Sequence, residues 1–341
     1  MKKKGWIILM IVLLAGMTAC FTTYYHFVQQ SNTIVADDGI IFIQPGNSFE
    51  SVVRILESKG YIQNTYTFRK VAELKKYPAG IKAGRYKIKN GMNNNQLVNL
   101  LRSGRQEPVH FIFNNIRTMT DFAGVLSRQL AVDSAEFMNL ARDPAYVEKW
   151  KFTPENFMGM FIPNTYQFFW HPKTEDFIKR MNAEYLKFWN TDRQAKAQKA
   201  GFSPMDIIII ASIVEEETNQ PEEYPVIAGV YINRLKKGWK LEACPTLKYA
   251  LGDFTLKRIL TKHMETDSPY NTYKHTGLPP GPVRMPSIQV VDAVLNYKRH
   301  GYMFFCAKSD FSGTHYFSRT LREHNRHAAE YHQALNRMRI Y

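Results

Sequence analysis

Cysteine is scarce in this chain: three residues in 341. That excludes a disulfide framework, although Cys244 and Cys306 could still pair in an oxidising compartment. No group of residues shows metal-ligand spacing. The histidines near the C-terminus, His315, His324, His327 and His332, are scattered. No metal is called for, and no organic cofactor. No Ser/His/Asp or Cys/His grouping stands out, which disfavours a protease. There is no internal repeat and no low-complexity tract. The basic residues are dispersed and form no single tract, which weakens the reading of a nucleic-acid-binding protein.

What is present begins with charge. The net charge of +15 favours anionic surroundings. Lys2, Lys3 and Lys4 precede a run from Trp6 to about Val28 that contains no formally charged residue, only His26. A helix needs roughly 20 such residues to cross a hydrocarbon core. Trp6 at one end and Tyr24-Tyr25 at the other suit the two interfaces, and the lysines should stay cytoplasmic. Everything after Gln29 is then expected outside. No nucleic acid is expected there, so membrane phospholipid or an anionic envelope polymer is the expected partner. A cleaved signal peptide would have a shorter apolar core. Met17-Thr18-Ala19-Cys20 loosely resembles a lipobox and keeps a lipoprotein as the second reading.

The most informative stretch runs from Ile207 to Thr218, where an apolar run stops at Glu215-Glu216-Glu217. A carboxylate against an apolar wall resists ionisation and can hold a proton for general acid catalysis. An acidic helix end turned to solvent would explain the same letters. Ser203-Pro204 predicts a helix start. At about 100° per residue, Ile207, Ile210, Ile213 and Val214 define an apolar stripe. Glu217 falls on that stripe, Glu215 on its flank, and Glu216 almost opposite, near Ser212. Glu217 is therefore the candidate acid. Four consecutive isoleucines also fit a buried strand, which would void the wheel.

The chain reads as α+β. Residues 1–28 form the lysine cluster and transmembrane anchor, and residues 29–38 a polar tether. A small α+β unit over 39–105 alternates strands at Ile40–Ile43 and Gly84–Ile88 with helices after Ser48, from about Thr65, and after Asn93. A larger mixed α/β domain spans 106–341. Its helices are interrupted by the aromatic-rich segment Gly159–Trp170, which could line a glycan groove or simply pack. Pro269–Ser287 is too rich in Pro, Gly and Thr to be regular, and such a segment is often functional. A strand over Tyr302–Ala307, a Gly-Thr-His turn and a helix from about Arg322 to Met338 end the chain.

Four motifs in this order resemble the YceG-like family, the endolytic murein transglycosylases. They are Ala211-Ser212-Ile213-Val214-Glu215-Glu216-Glu217-Thr218; Val230-Tyr231-Ile232-Asn233-Arg234-Leu235 with Gly238, Leu241 and Pro245-Thr246; Tyr270-Asn271-Thr272-Tyr273 with Gly277-Leu278-Pro279-Pro280-Gly281-Pro282; and Gly313-Thr314-His315-Tyr316-Phe317 with His324-Asn325. The resemblance implies a membrane-anchored enzyme outside the cytoplasm that cuts peptidoglycan glycan strands, with peptidoglycan synthases as partners and a LysM-like unit at 39–105. It assigns the acid to Glu217, the residue the helical wheel selects. Asn233, Tyr270, Asn271, Tyr273 and Asn325 become candidates for holding the sugar, because they sit in the family-like motifs. Three departures stand out. Glu216 replaces a lysine, which should raise the pKa of Glu217 further. Glu242-Ala243-Cys244-Pro245 replaces Q-[ST]-D-P, making Glu242 a candidate second carboxylate. Ile162-Pro163-Asn164-Thr165-Tyr166 replaces W-P-D-T-Y. Two other functions remain open at this point: a tethered peptidoglycan-binding scaffold without catalysis, and a hydrolase using Glu242 or Glu215 as partner.

Overall fold

The computed structural model describes residues 2–37, 39–256 and 259–338. It is a mixed α+β protein in two compact units. One unit holds the chain through His110 with Gln129–Ala131 and Gln167–Pro172, and the other holds the rest.

The first unit starts with α1 (Lys2–Tyr24), which a π-helical turn, Tyr25–Gln29, extends. This helix is long and apolar enough to be a membrane anchor or a signal sequence. Next come β1 (Gly39–Ile43), α2 (Phe49–Ser58), α3 (Thr65–Leu74), β2 (Gly84–Ile88) and α4 (Asn94–Ser103). Each helix starts on a side-chain cap: Ser48, Asn64 and Asn93 accept from the third backbone N–H beyond them. β1 and β2 pair antiparallel, Gly39 against Ile88 and Ile43 against Gly84. Their inward residues Ile41, Ile43, Tyr86 and Ile88 meet Val52, Leu56, Phe68 and Leu97 in one core.

The polar tether expected at 29–38 is not loose. Asn32, Thr33 and Val35 are buried. Asn32 receives Asn64 N–H at 2.7 Å and donates to Asn94, while Thr33 Oγ1 donates to Lys89 O at 2.8 Å. Polarity reads as a linker in a sequence, but here the polar side chains supply partners to backbone groups and so dock the segment.

The second unit takes most of its structure from helices: α5 (Met119–Leu130), α6 (Ser134–Arg142), α7 (Pro144–Glu148), α8 (Thr174–Phe188), α9 (Thr191–Ala200), α10 (Pro204–Glu217), α11 (Tyr224–Lys236), α12 (Cys244–Leu251), α13 (Thr261–Met264), α14 (Ile288–Leu295) and α15 (Leu321–Arg337). Strands β3 (Val109–Ile112) and β4 (Thr165–Phe168) each have residues in both units, and the second unit ends with an antiparallel hairpin of β5 (Phe304–Ala307) and β6 (His315–Ser318) before α15. Phe161 of the aromatic-rich segment is fully buried and packs on Phe122, Phe137 and the equally buried Phe157. The strand expected from Tyr302 begins at Phe304, and α12, α14 and β6 add to the expected elements.

Helix α10 is the centre of this unit. Ser203 and Asp206 close a capping box at its start. Residues 207–214 are all buried. The face opposite the apolar stripe, which carries Ser212, is therefore buried as well. That side chain is 0 % exposed, and its Oγ accepts Val283 N–H at 3.0 Å. The segment 282–287 covers the face that an amphipathic reading leaves to water.

Candidate active site

Glu217 is the last residue of α10, where the helix runs out of buried wall. Its Oε1 accepts the Tyr231 hydroxyl at 2.5 Å. The residue keeps partial exposure to a cleft of about 970 Å³ that it lines. Burial pushes the carboxyl above the ordinary carboxylate range, while the Tyr231 bond and the charges of His315, Lys248 and Arg234 oppose that rise. Glu216 is not among the causes. The negative field expected from Glu216 is offset by two arginines. Arg117 grips it with two bonds, at 2.9 and 3.0 Å, and Arg284 adds a third at 2.8 Å.

The acidic triplet thus divides its labour. Glu215 Oε2 accepts Ser287 N–H at 3.1 Å and lies 3.2 Å from Arg284 Nε. Glu215 and Glu216 bind the irregular segment, and Glu217 is left for the cleft. This placement takes Glu215 away from a partner role in hydrolysis. Glu242 lines the cleft at a half-exposed position with a left-handed backbone, 3.7 Å from Arg234.

Helix α11 presents Tyr231 and, one turn on, Arg234. Arg234 is buried, donating to Met303 O at 2.8 Å and Leu241 O at 2.5 Å. It ties β5 and the start of the 242–245 segment to the helix. Gly229 permits close packing behind it: a Cβ there would stand 2.4 Å from Lys298 O. Just past the end of α10, Glu223 accepts three bonds, from Thr218 Oγ1, His315 N and His315 Nδ1, at 3.0, 2.7 and 2.8 Å. A carboxylate only accepts, so Nδ1 carries the proton and Nε2 is the nitrogen free for the cleft that His315 lines.

Of the residues chosen from sequence, Glu217, Tyr273 and Asn325 line this cleft together. Tyr273 sits against Cys244, with 3.2 Å between OH and Sγ. Cys244 and Cys306 are both free thiols lining the cleft. Asn233, Tyr270 and Asn271 are not among the lining residues. Asn233 donates to His300 O and Tyr302 O at 2.9 and 3.0 Å. Asn271 is fully buried, donates to Met264 O and Thr266 O, and accepts Tyr273 N–H at 3.0 Å. Tyr270 packs on Tyr249 and donates to Glu155 O. Of the three, Asn271 is bonded to a residue that lines the cleft, Tyr273. Tyr231, Arg234 and His315 were not singled out from sequence, although each lies inside a motif that was. Among the described residues no cluster of metal-binding side chains occurs.

Comparison with known proteins covers nearly the whole chain. The model of the YceG-like family matches residues 41–330. An endolytic murein transglycosylase of Bacillus subtilis is 30 % identical over 316 residues, covering 87 % of this chain and 85 % of that protein. One from Streptococcus pneumoniae is 25 % identical over 96 % of this chain, which spans 65 % of that longer protein. The crystal structure of a YceG-like protein from Listeria monocytogenes superposes with a TM-score of 0.56 at 28 % identity, over 85 % of this chain and 99 % of that one. With a matched model over most of its length and a Bacillus relative aligned almost end to end, the chain belongs to the YceG-like family.

Proposed function

We propose that this protein is a membrane-anchored endolytic lytic transglycosylase of peptidoglycan, with Glu217 as its acid. The observation that carries the reading is a desolvated carboxyl, held by Tyr231, opening on a cleft large enough for sugar rings. The substrate bond is the β-1,4 link between N-acetylmuramic acid and N-acetylglucosamine. Protonated Glu217 donates to the glycosidic oxygen as the bond breaks, and positive charge builds at C1 of the muramic sugar. The sugar's own C6 hydroxyl attacks C1, and the Glu217 carboxylate takes its proton. The product is a 1,6-anhydromuramic end. One carboxylate suffices because the nucleophile is intramolecular and already positioned. A hydrolase would need a second carboxylate to activate water or attack.

Tyr273 and Asn325 are the candidate sugar contacts. Asn233, Tyr270 and Asn271 act behind them, fixing the backbone that carries the wall. The strand–helix–helix–strand order of residues 39–88 supports the LysM-like reading of the small unit. The apolar α1 supports a single span with the catalytic part on the extracytoplasmic side. Peptidoglycan synthases are partners implied by the family alone.

The test is mass spectrometry of uncrosslinked glycan strands digested by the wild type and by Glu217→Gln. Anhydro ends from the wild type alone support the reading. Reducing ends would turn it to hydrolysis and to Glu242. Binding without cleavage by folded wild type would favour a scaffold.

A further inference from the structure

The end of α1 is fastened to the small unit with no free linker. Asn94 Nδ2 donates to Phe27 O at 2.8 Å, and Asn93 Nδ2 to Gln29 Oε1 at 3.2 Å. Asn94 also bonds Asn32, which in turn bonds Asn64, the N-cap of α3. A chain of asparagines therefore fixes α3 relative to the last turns of α1. The two helices border one groove of about 890 Å³, whose lining includes Ala19, Cys20, Tyr24 and Phe27 on one side and Tyr66 and Leu74 on the other.

Two features of that groove bear on what fills it. Tyr66, Lys70 and Leu74 follow at i, i+4 and i+8 and form one stripe of α3. Leu74 is 80 % exposed and Tyr66 61 %, although both border a mostly apolar groove. The depth of the other wall is set by α1. If Tyr24-Tyr25 mark the outer interface, Cys20 lies about 6 Å further toward the membrane centre at 1.5 Å per residue. A wall shared by Cys20 and Leu74 places Leu74 at the level of acyl chains. Lys70, with its ammonium over the Tyr66 ring and 3.2 Å from Glu73 Oε2 at the polar edge of the same groove, matches an ion-paired interfacial group whose stem lies along apolar surroundings.

We propose that α3 is a membrane-lying helix: lipid acyl chains fill the groove between α1 and α3, and the Tyr66–Lys70–Leu74 stripe rests in the headgroup boundary. This rests on the reading of α1 as a membrane span. It makes the small unit a bilayer-seated base, oriented by two contacts with lipid in place of a single flexible stalk.

The experiment uses the full chain in nanodiscs of phosphatidylglycerol and phosphatidylethanolamine. A photo-crosslinking amino acid is placed singly at position 74, at position 12 inside α1, or at position 57 on the exposed face of α2, and lipid adducts are counted by peptide mass spectrometry. The expected result is abundant adducts at 12 and 74, with about tenfold fewer at 57, as a face buried in the boundary region requires. Adducts at 12 with none at 74 would overturn the inference and leave the span intact. Absence of adducts at 12 would remove the span, and the inference with it.

Discussion

Tyr231 donates its hydroxyl to Glu217 Oε1 at 2.5 Å, and the bond stabilises the charged form of a carboxyl whose ionisation burial disfavours. The two effects oppose each other, and burial is the larger. Tyr231→Phe removes only the opposing effect, so the folded pKa of Glu217 rises further. The acid must be protonated to act. The alkaline limb of the kcat/KM profile should therefore move to higher pH in Tyr231→Phe. A limb that stays in place or moves down would show that another group titrates there.

Stability carries the same signature. Glu217 has a folded pKa above its unfolded value, so between those values the native state binds more protons than the unfolded one. Stability contributed at this site then falls as pH rises through that window. Glu217→Gln keeps an acceptor for Tyr231 and cannot ionise. Thermal melts should place it level with wild type near pH 4 and above wild type at pH 7 to 8, while anhydro-product formation drops by about 10²-fold or more. A variant that melts below wild type across that range would contradict an upward shift of the Glu217 carboxyl.

The arginines on Glu216 differ in burial, and their loss should differ too. The Arg284 side chain is 10 % exposed and bonds Glu216, Glu215 and Asn115. Arg284→Ala leaves Glu215 without its cation and Glu216 with Arg117 alone, and should cost about 3 kcal/mol. Arg117, at 39 % exposure, should cost about 1 kcal/mol or less. Urea unfolding of both variants measures the contrast, and equal losses would refute it.

Asparagines 271 and 325 separate support from contact. Asn271→Ala orphans buried carbonyls and the Tyr273 N–H, a loss of about 2 kcal/mol in stability. Asn325→Ala should melt like wild type and raise KM for glycan strands. Reversed outcomes would exchange their roles.

Where local physics decides, the sequence was readable. Ser203-Pro204 starts α10, and of the three glutamates at its end the one on the wheel's stripe, Glu217, is the one that lines the cleft. Caps at Ser48, Asn64 and Asn93 mark the small unit's helices in the same way. What escaped depends on long-range pairing. Arg117 and Arg284 stand 99 and 68 residues from the glutamate they hold, and no pattern near Glu216 announces them. Tyr231 and Arg234 escaped for a different reason: α11 is buried on more than one side, so no stripe distinguishes the face toward the cleft. Helix α12 did carry signals, with Pro245 in its first turn and Gly252 closing it at a positive φ.

The grip of two guanidiniums on Glu216 also makes three distant positions interdependent. The family motif carries a lysine where Glu216 stands. A lone Glu216→Lys exchange here would bring three cations together beside the segment that roofs α10. Such a lysine becomes tolerable only if position 117 or 284 changes sign with it. Position 216 is thus not free to drift, and related chains should change these sites as a set.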